Sequence, residues 1–160
     1  FHVKAHPTFV SDAIAKDVWS TVSTLKNSDH DPIRLLGGRV YEHLMKKRLE
    51  VTPGFYWNSP CAFWKLPVPL RHELESADLV ISKGDANYRR LLGDRHWPFS
   101  TPFEMILDHF SAPLLALRTL KAELAAGISP SEIERAQKRD AQWLTNGRWG
   151  VVQLSTPKPT

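Results

Sequence analysis

At 160 residues, with 42% hydrophobic and 24% charged side chains, the chain is sized for one globular domain, and its single cysteine, Cys61, rules out an internal disulfide and points to a reducing compartment. The net charge of +4, with an isoelectric point near 9.3, suits an anionic ligand but is too small by itself to argue for nucleic acid. No apolar run approaches the roughly 20 residues of a membrane-spanning helix, and the longest, Ala112 to Leu117, is strand-sized.

The chain opens at Phe1 on strand-like residues with no cap or turn before them, so it is expected to begin inside a domain. A short strand is predicted over 1–4. A helix follows over 13–26, where Ile14, Val18 and Val22 recur at helical spacing and Ser11 or Asp12 supplies the N-cap. A second helix is expected over 34–51, with Leu35, Leu36, Val40, Leu44 and Leu49 as buried positions. The aromatic and proline-rich stretch 54–69 reads as a short strand and an ordered loop. Strands are predicted at 79–82, 114–117 and 149–154. Helical segments are predicted at 70–76, 85–92, 102–110 and 131–143, the last capped by Ser129 or Ser131. Strands alternating with helices predict an α/β sheet, at least partly parallel. Residues 155–160 are expected to be a loose tail.

In such sheets ligands bind outside the carboxyl ends of the strands. Three of these ends carry polar residues: Lys4 followed by Asp12; Lys83, Gly84 and Asp85; and Arg118, Thr119 and Lys121. At the second, Gly84 permits a tight turn and Asp85 can cap the helix that follows. Lys83 offers a point charge, Arg89 or Arg90 a fork matched to phosphate, and Asn87 a partner for sugar hydroxyls. Arg118 and Lys121 are three apart, so a helical turn would place both on one phosphate. Asp12 is a carboxylate of the type that holds Mg²⁺ beside a phosphate. Each of these residues taken alone has an ordinary structural reading, as a cap or a solvated cation. Lys46-Lys47-Arg48 reads as a solvated helix end. His2, His6, His96 and His109 show no metal-ligand spacing.

Several stretches share a pattern. The run Lys83-Gly84-Asp85-Ala86-Asn87-Tyr88-Arg89, the segment "FHVKAHPTFVSD", the motif "RTLK" at 118–121 and the ending "NGRWGVVQL" together resemble the metal-dependent damage-control phosphatase family, and within it subfamily III, the acidic-residue methyltransferase-like proteins. The resemblance implies a three-layer α/β/α Rossmann-like sheet, of which 1–154 would be the C-terminal part of a larger domain. It implies a metal-dependent phosphatase of small phosphometabolites, with sugar phosphates such as fructose 1-phosphate typical. It implies that Asp12 binds the catalytic Mn²⁺ or Mg²⁺, with Co²⁺ or Ni²⁺ as alternatives. Lys83, Asp85, Asn87, Tyr88, Arg89, Arg118 and Lys121 are the expected substrate-binding residues, Lys121 also serving catalysis by neutralising phosphate charge.

One departure from the family pattern matters. The family's other metal ligands form an adjacent Asp-Asn pair, and this sequence contains none. The 160 residues are therefore expected to be inactive without a partner, the N-terminal portion of the same protein. Neither nucleic acid nor membrane is expected as a partner, and a cytoplasmic setting is expected, with the nucleus as the alternative. Two rival readings stand beside the phosphatase. One is an S-adenosylmethionine-dependent carboxyl methyltransferase, for which no Gly-rich G-x-G turn is present here. The other is a phosphometabolite-binding module without catalysis.

Overall fold

Five strands and six helices alternate along the described residues, which are 1–8 and 13–157 of this computed structural model. The chain is α/β, and it gathers into two compact units, Phe1–Ser59 and Pro60–Thr160. Instead of one sheet there are two small ones, one in each unit. Among the described residues no helix is long and apolar enough to cross a membrane.

In the first unit β1 (His2–Lys4) lies parallel to β2 (Thr52–Gly54), with Val3 opposite Pro53. Parallel neighbours need a long crossover, and α1 (Ala15–Lys26) with α2 (Asp31–Met45) supplies it. The N-cap of α1 is Ile14, whose side chain can accept nothing, so Asp17 reaches back to take the Ile14 N–H at 3.0 Å. The caps expected from the sequence, Ser11 and Asp12, lie outside the described residues. Helix α2 starts earlier than its apolar pattern suggests because Pro32, which lacks an N–H, fits the first turn. It also ends earlier, at Met45, where Lys47 turns to φ 53°. Gly37 is the crossing point of the pair. A methyl group there would lie 2.3 Å from the Lys26 backbone nitrogen, so only glycine allows this approach. Leu44 is buried as expected, but Leu35 is 70% exposed and Leu36 50% exposed. Helical spacing identifies apolar stripes without saying which stripe finds a neighbour.

The first unit ends after a 3₁₀ turn, Phe55–Asn58, and the second contains a 3₁₀ turn, Phe63–Lys65, then α3 (Val68–Glu75), β3 (Val80–Lys83), α4 (Asp85–Leu91), α5 (Phe103–Ile106), β4 (Leu114–Thr119), α6 (Pro130–Arg139) and β5 (Gly150–Ser155). Its sheet runs β3-β4-β5, the first pair parallel and the second antiparallel. Ser155, expected in the tail, is a buried strand residue. Ser129 caps α6 in a reciprocal box, its Oγ accepting from the Glu132 N–H at 3.3 Å and Glu132 accepting from the Ser129 N–H at 2.9 Å.

Strand alternation decides the two faces of this sheet. One face carries Leu114, Ala116 and Arg118 with Val151, Gln153 and Ser155, and it packs on a core that includes Tyr88, Leu91, Leu92, Leu107 and Leu120, each at most 1% exposed. Each large side chain buried there contributes about 1.5–3 kcal/mol. The other face carries Ile81, Leu115, Leu117, Val152 and Leu154, and it stands open: Ile81 is 59% exposed and Val152 74%.

His109 sits beside this core with its ring edge-on to Trp64 and its Nε2 buried without a hydrogen-bond partner. Burial, and then the charge of Arg71, hold it below the ordinary imidazole value of 6.5, against the opposing pull of Glu75, Asp108 and the Ile106 carbonyl. The unfolded chain therefore takes up this proton more readily. Folding stability is full above about pH 6.5 and is lost as the pH falls below it. Thermal melts of the wild type from pH 8 down to pH 5 are expected to show this acid-side loss, and His109→Phe to flatten it. Parallel curves would show that His109 is not the responsible group.

Candidate functional site

Because β3 and β4 are parallel, their carboxyl ends open on one edge of the sheet, where the β5 entry also lies because β5 runs the opposite way. Three stretches meet at that edge: 83–85, 118–121 and 146–149. The second and third polar corners read from the sequence are thus neighbours. The first belongs to the other unit, and Asp12 lies outside the described residues.

Gly84 makes the turn from β3 into α4 with φ 107° and ψ 161°, a region essentially restricted to glycine. Its N–H donates to the Leu117 carbonyl at 2.9 Å, tying the turn to β4. The space beside Gly84 is open, so backbone conformation and not crowding requires the glycine. Helix α4 has seven residues, too short for its dipole to dominate the site. What fixes the corner is an ion pair: Arg118 Nε donates to Asp85 Oδ1 at 2.8 Å. The Arg118 side chain is fully enclosed and that of Asp85 is 27% exposed. The other guanidinium nitrogens donate to the Leu124 and Ala122 carbonyls, and the group lies 4.6 Å from the centre of the Tyr88 ring.

Arg118 and Lys121 do not share a face as a helical turn would give. Strand β4 continues to Thr119, so Arg118 points into the buried face while Lys121, past the strand end, is exposed. The Lys121 stem runs beside Gly147, where a methyl group would lie 3.8 Å from Lys121 Cε. That loop is held by Asp140, which accepts from Trp149 Nε1 at 3.0 Å, from the Gln142 N–H at 3.0 Å and from Asn146. The Gly147 and Leu120 backbones close the arrangement, with Gly147 N–H donating to the Leu120 carbonyl and Leu120 N–H to the Trp149 carbonyl.

The remaining expected site residues use their polar atoms inside the protein. Asn87 donates to the Lys83 carbonyl at 2.9 Å and accepts from Arg90 at 3.1 Å. Tyr88, 1% exposed, donates to Gln153 Oε1 at 2.7 Å. Arg89 forms a fork on Asp94 at 2.7 and 3.0 Å, which holds the Asp94 carboxyl below its ordinary range. Lys83, Asp85 and Lys121 are left as the expected residues with polar atoms turned outward, and Arg148 is an exposed cation nearby in the chain. Among the described residues no group of three His, Cys, Asp or Glu side chains could hold a metal ion, so they do not by themselves fit the ion that the motifs imply.

Sequence reasoning missed three residues. Gln153 has no local signal, because its partners are distant in the chain, and Asp140 lies at a helix end where its bonds to Gln142, Asn146 and Trp149 match no motif. Asn58 is the third: its side chain accepts from the Ala5 N–H at 3.0 Å and donates to the His6 carbonyl and Thr8 Oγ1, both at 2.6 Å. It thereby fixes the strand exit that leads toward the Asp12 segment.

A family model described as the damage-control phosphatase ARMT1-like domain matches residues 1–136. The damage-control phosphatase ARMT1 of Xenopus tropicalis is 38% identical over 160 residues, covering 98% of this chain and 36% of that protein. The Rattus norvegicus protein of the same name is 37% identical over 161 residues, and the Homo sapiens protein 35% identical over 161, with 98% of this chain covered in both cases. The chain thus spans little more than a third of the length of these relatives, 37% of the rat protein and 36% of the human one.

Replacing Gly84 with Ala should destabilise the second unit by about 1–3 kcal/mol, the usual cost of a glycine-only conformation. Urea denaturation measures this, and a change near zero would mean that the corner relaxes freely.

Proposed function

We propose that this chain, which belongs to the damage-control phosphatase ARMT1-like family, supplies the phosphate-facing part of an enzyme that hydrolyses small phosphomonoesters. The observation that carries the reading is the shared carboxyl edge of β3 and β4. It presents exposed Lys83 and Lys121 beside an Asp85 carboxylate that a buried arginine holds in place. The two ammonium groups suit the oxygens of a phosphoryl group and would offset charge that develops there as the ester bond breaks, usually the largest catalytic effect. A carboxylate would repel phosphate, so Asp85 suits a hydroxyl donor. Cations and an acceptor side by side favour a phosphate ester that carries hydroxyls, a sugar phosphate such as fructose 1-phosphate.

The divalent ion, Mn²⁺ or Mg²⁺, is assigned to Asp12 together with ligands from outside these residues, since the described residues offer no cage of their own. It would supply electrophilic assistance at phosphate. The open sheet face of Ile81, Leu115, Leu117, Val152 and Leu154 fits the same view. An apolar face of this kind marks a packing surface, and further helices laid on it would complete a three-layer sheet. In this reading the 160 residues alone are inactive, and their single cysteine suits a reducing cytoplasmic or nuclear setting.

A chimera tests this, with these 160 residues replacing the matching part of the Xenopus tropicalis protein. Phosphate release from fructose 1-phosphate is expected from the chimera with Mn²⁺ and not from the 160 residues alone. Lys121→Ala should lower kcat/KM by roughly 10²–10³, the range for one charge-stabilising donor. Asp12→Ala should abolish the response to Mn²⁺. A chimera that is folded by circular dichroism and binds the sugar phosphate without releasing phosphate would identify a binding module and refute the enzyme.

A further inference from the structure

We propose that Arg118, Tyr88 and Gln153 are positioning residues that aim Asp85 at the ligand, and that none of the three touches it. The inference rests on the reading of Asp85 as a ligand-facing carboxylate. Burial excludes direct contact in this form: the Arg118 side chain is 0% exposed and Tyr88 is 1% exposed. Each of the arginine's three nitrogens is also engaged, Nε with Asp85 and the two terminal nitrogens with the carbonyls of Leu124 and Ala122. Moving the guanidinium to a phosphate would strand those carbonyls and leave Asp85 without its partner, an expensive change in a buried setting.

The three residues form one connected stack across three elements. Gln153, on β5, accepts from the Tyr88 hydroxyl at 2.7 Å and donates to the Ala126 and Gly127 carbonyls at 2.6 and 3.2 Å. A methyl group at Gly127 would lie 2.6 Å from Gln153 Nε2, so the glycine makes room for this amide. Tyr88, on α4, stacks with Phe103, whose ring is parallel at 5.9 Å between centres. Its own face supports the guanidinium, as an aromatic ring favours a cation. Arg118, on β4, then fixes Asp85 Oδ1 and leaves Oδ2 for a ligand. A lysine could not make the same set of bonds, because its ammonium is a point and the guanidinium is a fork.

Two measurements test the device on the 160-residue chain. The first is hydrogen exchange at the Arg118 Nε–H, followed by ¹H–¹⁵N NMR. Slow exchange is expected in the wild type. Gln153→Leu and Tyr88→Phe should each speed it about threefold to tenfold, the size of one neutral hydrogen bond, and the double variant no more than either. The backbone amides of β4 serve as the control and should be unchanged. The second is calorimetric binding of two probes. Arg118→Lys and Gln153→Leu should weaken fructose 1-phosphate about threefold to tenfold and leave inorganic phosphate unaffected, because Asp85 reads hydroxyls. Equal weakening of both probes would make Arg118 a direct phosphate ligand and overturn the proposal, as would additive exchange effects. If neither probe binds the 160 residues, the exchange rates alone decide whether the stack positions Asp85, and the chimera decides the phosphatase reading.

Discussion

A guanidinium with no solvent contact must have its donors engaged, and that requirement organises the second unit. Arg118 is enclosed, so β4, the 122–124 segment, Tyr88 and Asp85 are all placed around it. Its ion pair with Asp85 is one-sided, buried at the arginine and partly open at the carboxylate. Such pairs add little net stability compared with an apolar replacement, but breaking one is costly. The arrangement suits a site in which geometry matters more than stability. It also separates two tasks that the motif "RTLK" carries in four residues, since the arginine serves the interior and the lysine the surface.

The carboxyl edge works because of strand direction. A parallel β3-β4 pair brings two outgoing corners together, and the reversed β5 returns a third loop to the same place. Asp140 stiffens that returning loop with three accepted bonds. The sheet that bears the edge is covered on one face, and its other face, of Ile81, Leu115, Leu117, Val152 and Leu154, stands open.

Most elements were legible from periodicity, and the corner at Lys83-Gly84-Asp85 was legible because glycine has few reasons to follow a strand and precede a helix. The motif resemblance named the family that the comparison then showed. What the sequence hid was direction. Arg118 and Lys121 look alike as cations three apart, but strand alternation buries the first. Leu35 and Leu36 look like core, yet a helix's apolar stripe is buried only where a neighbour exists. Gln153 acts across long sequence separations, so no local pattern announces it. The limits of α2 were misjudged because Pro32 suits a helix start and Lys47 can adopt a left-handed conformation at its end.

The Asp140 hub has an implication for acid resistance. Its bonds from Trp149, Asn146 and the Gln142 N–H hold the carboxyl below its ordinary value of 3.8. A carboxyl shifted downward keeps its stabilising effect above its unfolded value and loses it only as pH falls through the folded one. At about pH 5, where an imidazole in the unfolded chain is mostly protonated, the carboxylate and its three bonds remain. Mild acid therefore works against the burial of the His109 ring beside Trp64, while the Asp140 carboxylate keeps its hold on the loop that flanks Lys121.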